Sequence, residues 1–185
     1  MDRDEALALV KKYSTKEITY RHLISVEGVM RVLARHFGED ESRWGLAGLF
    51  HDLDYDVTEA EDDLGRHGYL TVEWLREEGF EDEQVLNAIL GHRFEEHQTD
   101  LMSKAIVHAD AVAGLLVASA LVRPEKADGM KVSSVKKKLK EKSFAPGVER
   151  EHIRNVQEGI GLELDEFLAI SITGVQEVAP EIGLA

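Results

Sequence analysis

The sequence predicts an all-α fold, and three observations carry the prediction. Apolar residues recur at helical spacing through most of the chain, and strand-like alternation is nearly absent. Only three prolines occur, at positions 124, 146 and 180, so few segments are barred from helix. Capping and stop signals divide the chain into pieces of helical length. The expected organisation is a single domain over residues 1–185. A compact helical core covers about 1–123, and a C-terminal helical extension covers about 124–185.

Taken in order, a first helix is expected over residues 4–12. Ser14-Thr-Lys-Glu17 has the form of a capping box and should start a long second helix. That helix runs to about Phe37 and stops at Gly38. Ser42 is placed to cap a third helix, which carries the apolar run Leu46-Ala-Gly-Leu-Phe50 and closes on His51-Asp52. Residues 55–63 are polar and acidic and read as a loop. Helices then fit residues 64–78, 81–93 and 103–122. Residues 124–130 form a break, and a short Lys-rich helix follows over 132–142. Phe144-Ala-Pro-Gly147 is a second break, after which helices over 149–159 and 164–177 complete the chain.

The net charge of −14 argues against general nucleic-acid binding through a basic surface. The basic residues are uneven, because residues 131–142 hold six lysines against one glutamate. A solvated helix face is the ordinary reading of that strip. The chain has no cysteine, which excludes disulfides, thiolate metal sites and a cysteine nucleophile. Any metal site must use His, Asp and Glu. The charged amino terminus leads into no signal-type apolar core. The apolar run over 105–122 is interrupted by His108 and Asp110 and reads as a buried helix, not a membrane span. A cytoplasmic protein with no membrane partner is the expectation.

His51 and Asp52 are the most informative pair. A carboxylate directly after a buried helix face is costly unless it is paired or bound to a metal. Other groups fall on inward stripes. His22 has Ile18, Val26 and Val29 at helical spacing; His92 follows Val85 and Ile89; Asp110 lies in the most apolar helix; His67 sits one turn into its own. These positions project from five expected helices toward one centre. Each lone histidine is also compatible with a hydrogen-bonded core residue, and His108 and Asp110 could satisfy each other. His36, His97 and His152 read as surface residues, and Asp54 and Asp56 as loop acids.

The order His22, His51-Asp52, Asp110 on successive helices resembles the HD-domain superfamily of metal-dependent phosphohydrolases, over residues 18–123. The signature His-Asp-Leu-Asp-Tyr55, together with the tail segment from Val135 to Phe144, resembles an uncharacterised bacterial HD hydrolase branch. The dinucleoside tetraphosphatase branch is a more distant likeness. Leu53 and Asp54 replace the common Ile-Gly, and a Gly-Tyr-Pro element is missing, which argues against cyclic-dinucleotide phosphodiesterase activity.

The resemblance implies a compact HD-domain helical bundle. It also implies one metal held by His22, His51, Asp52 and Asp110, and a second, completed by His67 and His92, bridged by Asp52. One or two divalent transition metals are implied, among Fe, Mn, Co, Ni and Zn, since mixed imidazole and carboxylate donors suit these. Metal-activated water would attack a phosphate ester or anhydride of a small molecule such as a nucleotide. Asp52 would orient the nucleophile or take its proton, as the catalytic residue. Arg66, Arg93, Lys104 and Lys137 are candidate substrate-binding cations. Two other readings use the same ligands: an HD-fold di-iron oxygenase, and a non-catalytic metal- or nucleotide-binding regulator.

Overall fold

A computed structural model describes residues Met1–Ala185, and every regular element in it is helical. The order is α1 (Arg3–Tyr13), α2 (Glu17–Phe37), α3 (Glu41–Phe50), α4 (Tyr55–Ala60), α5 (Tyr69–Glu77), α6 (Glu83–Gly91), α7 (Leu101–Leu121), α8 (Val132–Lys140), α9 (Arg150–Arg154), α10 (Val156–Ile160) and α11 (Leu164–Val178). A single 3-10 turn, Glu95–His97, lies between α6 and α7. Helices α2 and α7 form the centre. α3 and α11 pack on α2, while α6, α9 and α10 pack on α7.

Two close approaches set the positions of the helices around α2. A Cβ at Gly48 of α3 would lie 2.8 Å from the Val26 carbonyl oxygen, so α3 touches the α2 backbone directly. A Cβ at Gly28 would collide with the Gly174 carbonyl oxygen, so α11 crosses α2 backbone to backbone. The first contact brings the end of α3, and thus His51, against α2. The second fastens the C-terminal segment to the core. Helix α7 is long and apolar enough to cross a membrane by length and composition, but 67% of its most apolar window is buried in the fold. It is the core helix of the bundle.

The helix starts differ from expectation in instructive ways. Ser14 does not cap α2. It follows α1, its hydroxyl is buried without a partner, and Lys16 precedes α2 without a side-chain cap. Instead, Asp56 accepts the backbone N–H groups of Thr15 and Lys16 at 2.8 Å and the Thr19 hydroxyl at 2.6 Å. Asp40, not Ser42, caps α3 by accepting the Arg43 N–H at 3.0 Å. Residues 55–60 are helical instead of a loop. The helix expected from 64 begins only at Tyr69, because Gly68 adopts φ 86° and breaks the turn before it. α7 starts two residues early, on a capping box formed by Asp100 and Ser103. The helix expected over 149–159 is broken at Asn155 into α9 and α10.

In the C-terminal part, the buried Arg150 guanidinium donates to the carbonyls of Leu139, Glu141, Phe144, Ala145 and Val148. One cation thereby satisfies a whole loop of main-chain acceptors. The Lys-rich helix α8 is partly structural as well. Lys136 pairs with Asp165 of α11 at 2.6 Å, and the Lys138 ammonium lies 4.4 Å from the centre of the Phe144 ring.

Candidate metal centre

Three helix ends and the flanks of two long helices, α2 and α7, meet at one point. His51 stands immediately after α3, and His92 immediately after α6. The last carbonyls of a helix lack intrahelical donors. Both histidines use this: His51 Nδ1 donates to the Gly48 carbonyl at 2.8 Å, and His92 Nδ1 donates to the Ile89 carbonyl, each three residues back. A carbonyl cannot donate, so these bonds place the proton on Nδ1 and leave Nε2 of the neutral ring as a lone pair facing inward.

His67 reaches the same orientation by another route. It lies in the turn before α5 and not inside a helix. Its Nδ1 meets Asp54 Oδ1 at 2.6 Å. Asp54 is fully buried, and its other oxygen accepts the N–H groups of Gly68 at 2.8 Å and Thr71 at 3.0 Å. Asp54 therefore caps α5 and orients His67 at once. Reading Asp54 and Asp56 as loop acids is thus corrected: both are buried anchors. His22 projects from the second turn of α2 and Asp110 from the middle of α7, with His22 Nε2 3.0 Å from Asp110 Oδ1.

Asp52 sits between these groups. Its Oδ1 lies 3.1 Å from His67 Nε2, 3.3 Å from His92 Nε2 and 3.5 Å from His51 Nε2. Its Oδ2 lies 3.7 Å from His22 Nε2. The Nε2 atoms of His67 and His92 are 3.1 Å apart, and those of His22 and His51 are 3.2 Å apart. Asp52 Oδ1 is nonetheless buried without a hydrogen-bond donor. Inward lone pairs this close, around an orphaned carboxylate oxygen, fit a cation. Two donor groups satisfy metal-ligand spacing, His22 with His51 and Asp52, and Asp52 with His67 and His92. Asp52 is common to both. The donor set is imidazole and carboxylate, which suits a divalent transition metal.

Without a metal, protons take up part of this role. Burial works against charging His51, but the carboxylates of Asp52 and Asp110 outweigh it and hold its pKa up to about 9. Burial likewise opposes a charged His67, and Asp52 and Asp54 raise it to about 9. Burial favours protonated Asp52 and Asp110, yet the surrounding histidines hold both below the usual carboxylate range.

The remaining histidines lie elsewhere. His108 does not pair with Asp110; its Nδ1 donates to the His152 carbonyl at 2.5 Å and its ring packs over Gly159. His36 is exposed, His97 bonds Asn87 at 2.9 Å, and His152 faces Glu149 at 3.3 Å.

A cleft of about 720 Å³ opens beside His22 and Asp52. Lys16, Glu17, Ile18, Thr19 and Arg21 of the α2 start line one side, with Tyr55 and Glu59. Gly114, Val117, Ala118 and Leu121 of α7 line the other, with Leu184. Arg66, Arg93, Lys104 and Lys137 are exposed and do not line this cleft. Lys16 and Arg21 do, and both were missed in the sequence. Nothing local marks them, because Arg21 lies about 100° around the helix from His22, and only the tertiary fold shows that the α2 start borders an opening.

The HD-domain family model matches residues 19–115, which contains all six clustered residues. The chain is 33% identical over 131 residues to the symmetrical bis(5'-nucleosyl)-tetraphosphatase of Halalkalibacterium halodurans, covering 60% of this chain and 69% of that protein. It is 30% identical over 133 residues to the protein of the same name from Bacillus subtilis strain 168, with the same coverage. No solved structure matches the chain significantly. The match over more than half of the chain and the 33% identity show that it belongs to the HD-domain family and is a metal-dependent phosphohydrolase.

Proposed function

We propose that the protein hydrolyses a phosphate anhydride of a nucleotide, with a dinucleoside polyphosphate as the first substrate to test. His22, His51, Asp52 and Asp110 would hold one divalent metal, and Asp52, His67 and His92 a second. The observation that carries the reading is the buried, donorless Oδ1 of Asp52, faced by three histidine Nε2 atoms. The names of the two bacterial relatives support the substrate class.

A divalent metal at these positions supplies Lewis acidity toward a phosphoryl oxygen and activates water at neutral pH. The protein's own residues do the rest. Nδ1 anchoring of His51, His67 and His92 keeps the Nε2 atoms aimed without reorganisation. Asp52 holds negative charge at the centre and orients the attacking water. Lys16 and Arg21 sit along the cleft where a further phosphate would lie, each now paired with a glutamate, Glu59 at 2.5 Å and Glu17 at 3.0 Å. Arriving phosphate competes with those glutamates for the cations.

The experiment is turnover of diadenosine tetraphosphate under nitrogen, with Mn²⁺ or Co²⁺, with products separated by anion exchange. Adenosine diphosphate is the expected product, and chelator abolishes its formation. Turnover only with reduced iron and oxygen, or none with any phosphate anhydride, contradicts the reading.

A further inference from the structure

The cleft beside His22 and Asp52 is much more apolar than a phosphate requires. Along α7, Asp110, Gly114, Val117, Ala118 and Leu121 fall at spacings of four, seven, eight and eleven residues, which is one helical face. The face begins with a candidate metal ligand and continues from Gly114 to Leu121 as apolar wall for about 10 Å, at 1.5 Å of rise per residue. On α2, Ile18 precedes His22 by four residues, on the same face. The sequence placed Ile18 toward the core, yet it is 75% exposed, and Leu121 across the opening is 61% exposed. Large apolar side chains on both lips of a cleft that ends at the metal ligands need an occupant.

We infer that this cleft binds the aromatic, base-like half of a phosphorylated substrate, with Ile18 on one side and Val117, Ala118 and Leu121 on the other. The inference rests on the phosphohydrolase reading above and names the part of the substrate that this cleft selects. Continuity with His22 and Asp52 fixes the occupant as part of the same molecule that carries the phosphate. A ring heterocycle fits better than an alkyl chain, because the Glu17 carboxylate borders the apolar walls and can accept from ring N–H and exocyclic amino groups once phosphate has drawn Arg21 from it. The small residues Gly114 and Ala118 leave room for a flat group against the helix.

The test is calorimetric binding to the Mn²⁺-loaded protein, with adenosine monophosphate, ribose 5-phosphate and octyl phosphate as probes. Adenosine monophosphate is expected to bind at least about tenfold more tightly than ribose 5-phosphate, with octyl phosphate no tighter than the nucleotide. In Val117→Asp that preference should fall about tenfold. Leu121→Ser lowers it in the same direction, and its exposed position makes it safe for folding, so the test survives if Val117→Asp does not fold. Equal affinity for the nucleotide and the sugar phosphate overturns the inference. So does a preference that survives both substitutions, or tighter binding of octyl phosphate. The parent reading fails separately: nucleotide preference would stand while no phosphate anhydride is cleaved.

Discussion

Replacing Asp54 by alanine should damage the candidate metal centre without replacing any candidate ligand. The wild-type carboxylate is fully buried and accepts three hydrogen bonds, from His67 Nδ1 at 2.6 Å, Gly68 N–H at 2.8 Å and Thr71 N–H at 3.0 Å. Alanine leaves all three donors facing a void. A lost hydrogen bond to a charged acceptor costs roughly 1.5–3 kcal/mol. Relief from burying the carboxylate offsets part of the total, so a net loss of about 3–5 kcal/mol is expected, as for other broken buried charge contacts. His67 also loses what fixes its tautomer, and metal affinity should fall about 10–100-fold. Urea unfolding of the metal-free protein measures the first effect, and competition with a chromophoric chelator measures the second. Stability within about 1 kcal/mol of wild type, with affinity within about twofold, would refute the reasoning, since both effects follow from the same three bonds.

Gly48→Ala should be among the most destabilising substitutions in α3. Its Cβ would meet the Val26 carbonyl at 2.8 Å and the Glu27 nitrogen at 2.9 Å, both backbone atoms that cannot rotate away. A loss of about 1–3 kcal/mol is expected, read as a lower Tm, with weaker metal binding because His51 is carried by the same helix; an unchanged Tm contradicts the close approach. Metal uptake at pH 7 should release about two protons, because His51 and His67 are both held up to about 9 and must lose a proton to ligate. Calorimetry in buffers of different ionisation enthalpy reads this number directly, and a binding heat independent of buffer would contradict it. Both pKa values lie above the ordinary histidine value of about 6.5. Their contribution to metal-free stability is therefore complete below about pH 6.5 and lost as pH rises through about 9. Lys16→Ala should raise KM severalfold for a substrate with more than one phosphate, whereas Arg93→Ala, outside the cleft, should change it less than about twofold.

The helical fold and most of the candidate ligands that the structure brings together were legible because both are written locally. His51-Asp52 stood out because a carboxylate after a buried run needs compensation, and Asp110 stood out for the same reason inside α7. What was not legible acts between segments distant in sequence. Asp56 caps α2 from 40 residues away, so the local Ser14-to-Glu17 pattern pointed to the wrong cap. Asp54 caps α5 across 14 residues, and in sequence it looks like one more acid in an acidic turn. His67 fell outside its helix because Gly68 takes a positive φ that only the tertiary arrangement imposes. Ile18 follows the apolar spacing of His22 but extends past the core, and so it borders the cleft instead of filling the interior. Arg66, Arg93, Lys104 and Lys137 lie off that cleft because nearness in sequence to a candidate ligand does not determine which side chains share an opening.

The central claim is that Asp52 is common to two metal positions. Metal stoichiometry by mass spectrometry, on wild type and three variants loaded with Mn²⁺ and freed of excess, tests it most directly. About two metals per chain are expected for wild type, about one for His92→Ala and for Asp110→Ala, and none for Asp52→Ala. An Asp52→Ala protein that is folded by circular dichroism and still holds a full complement of metal would contradict the account.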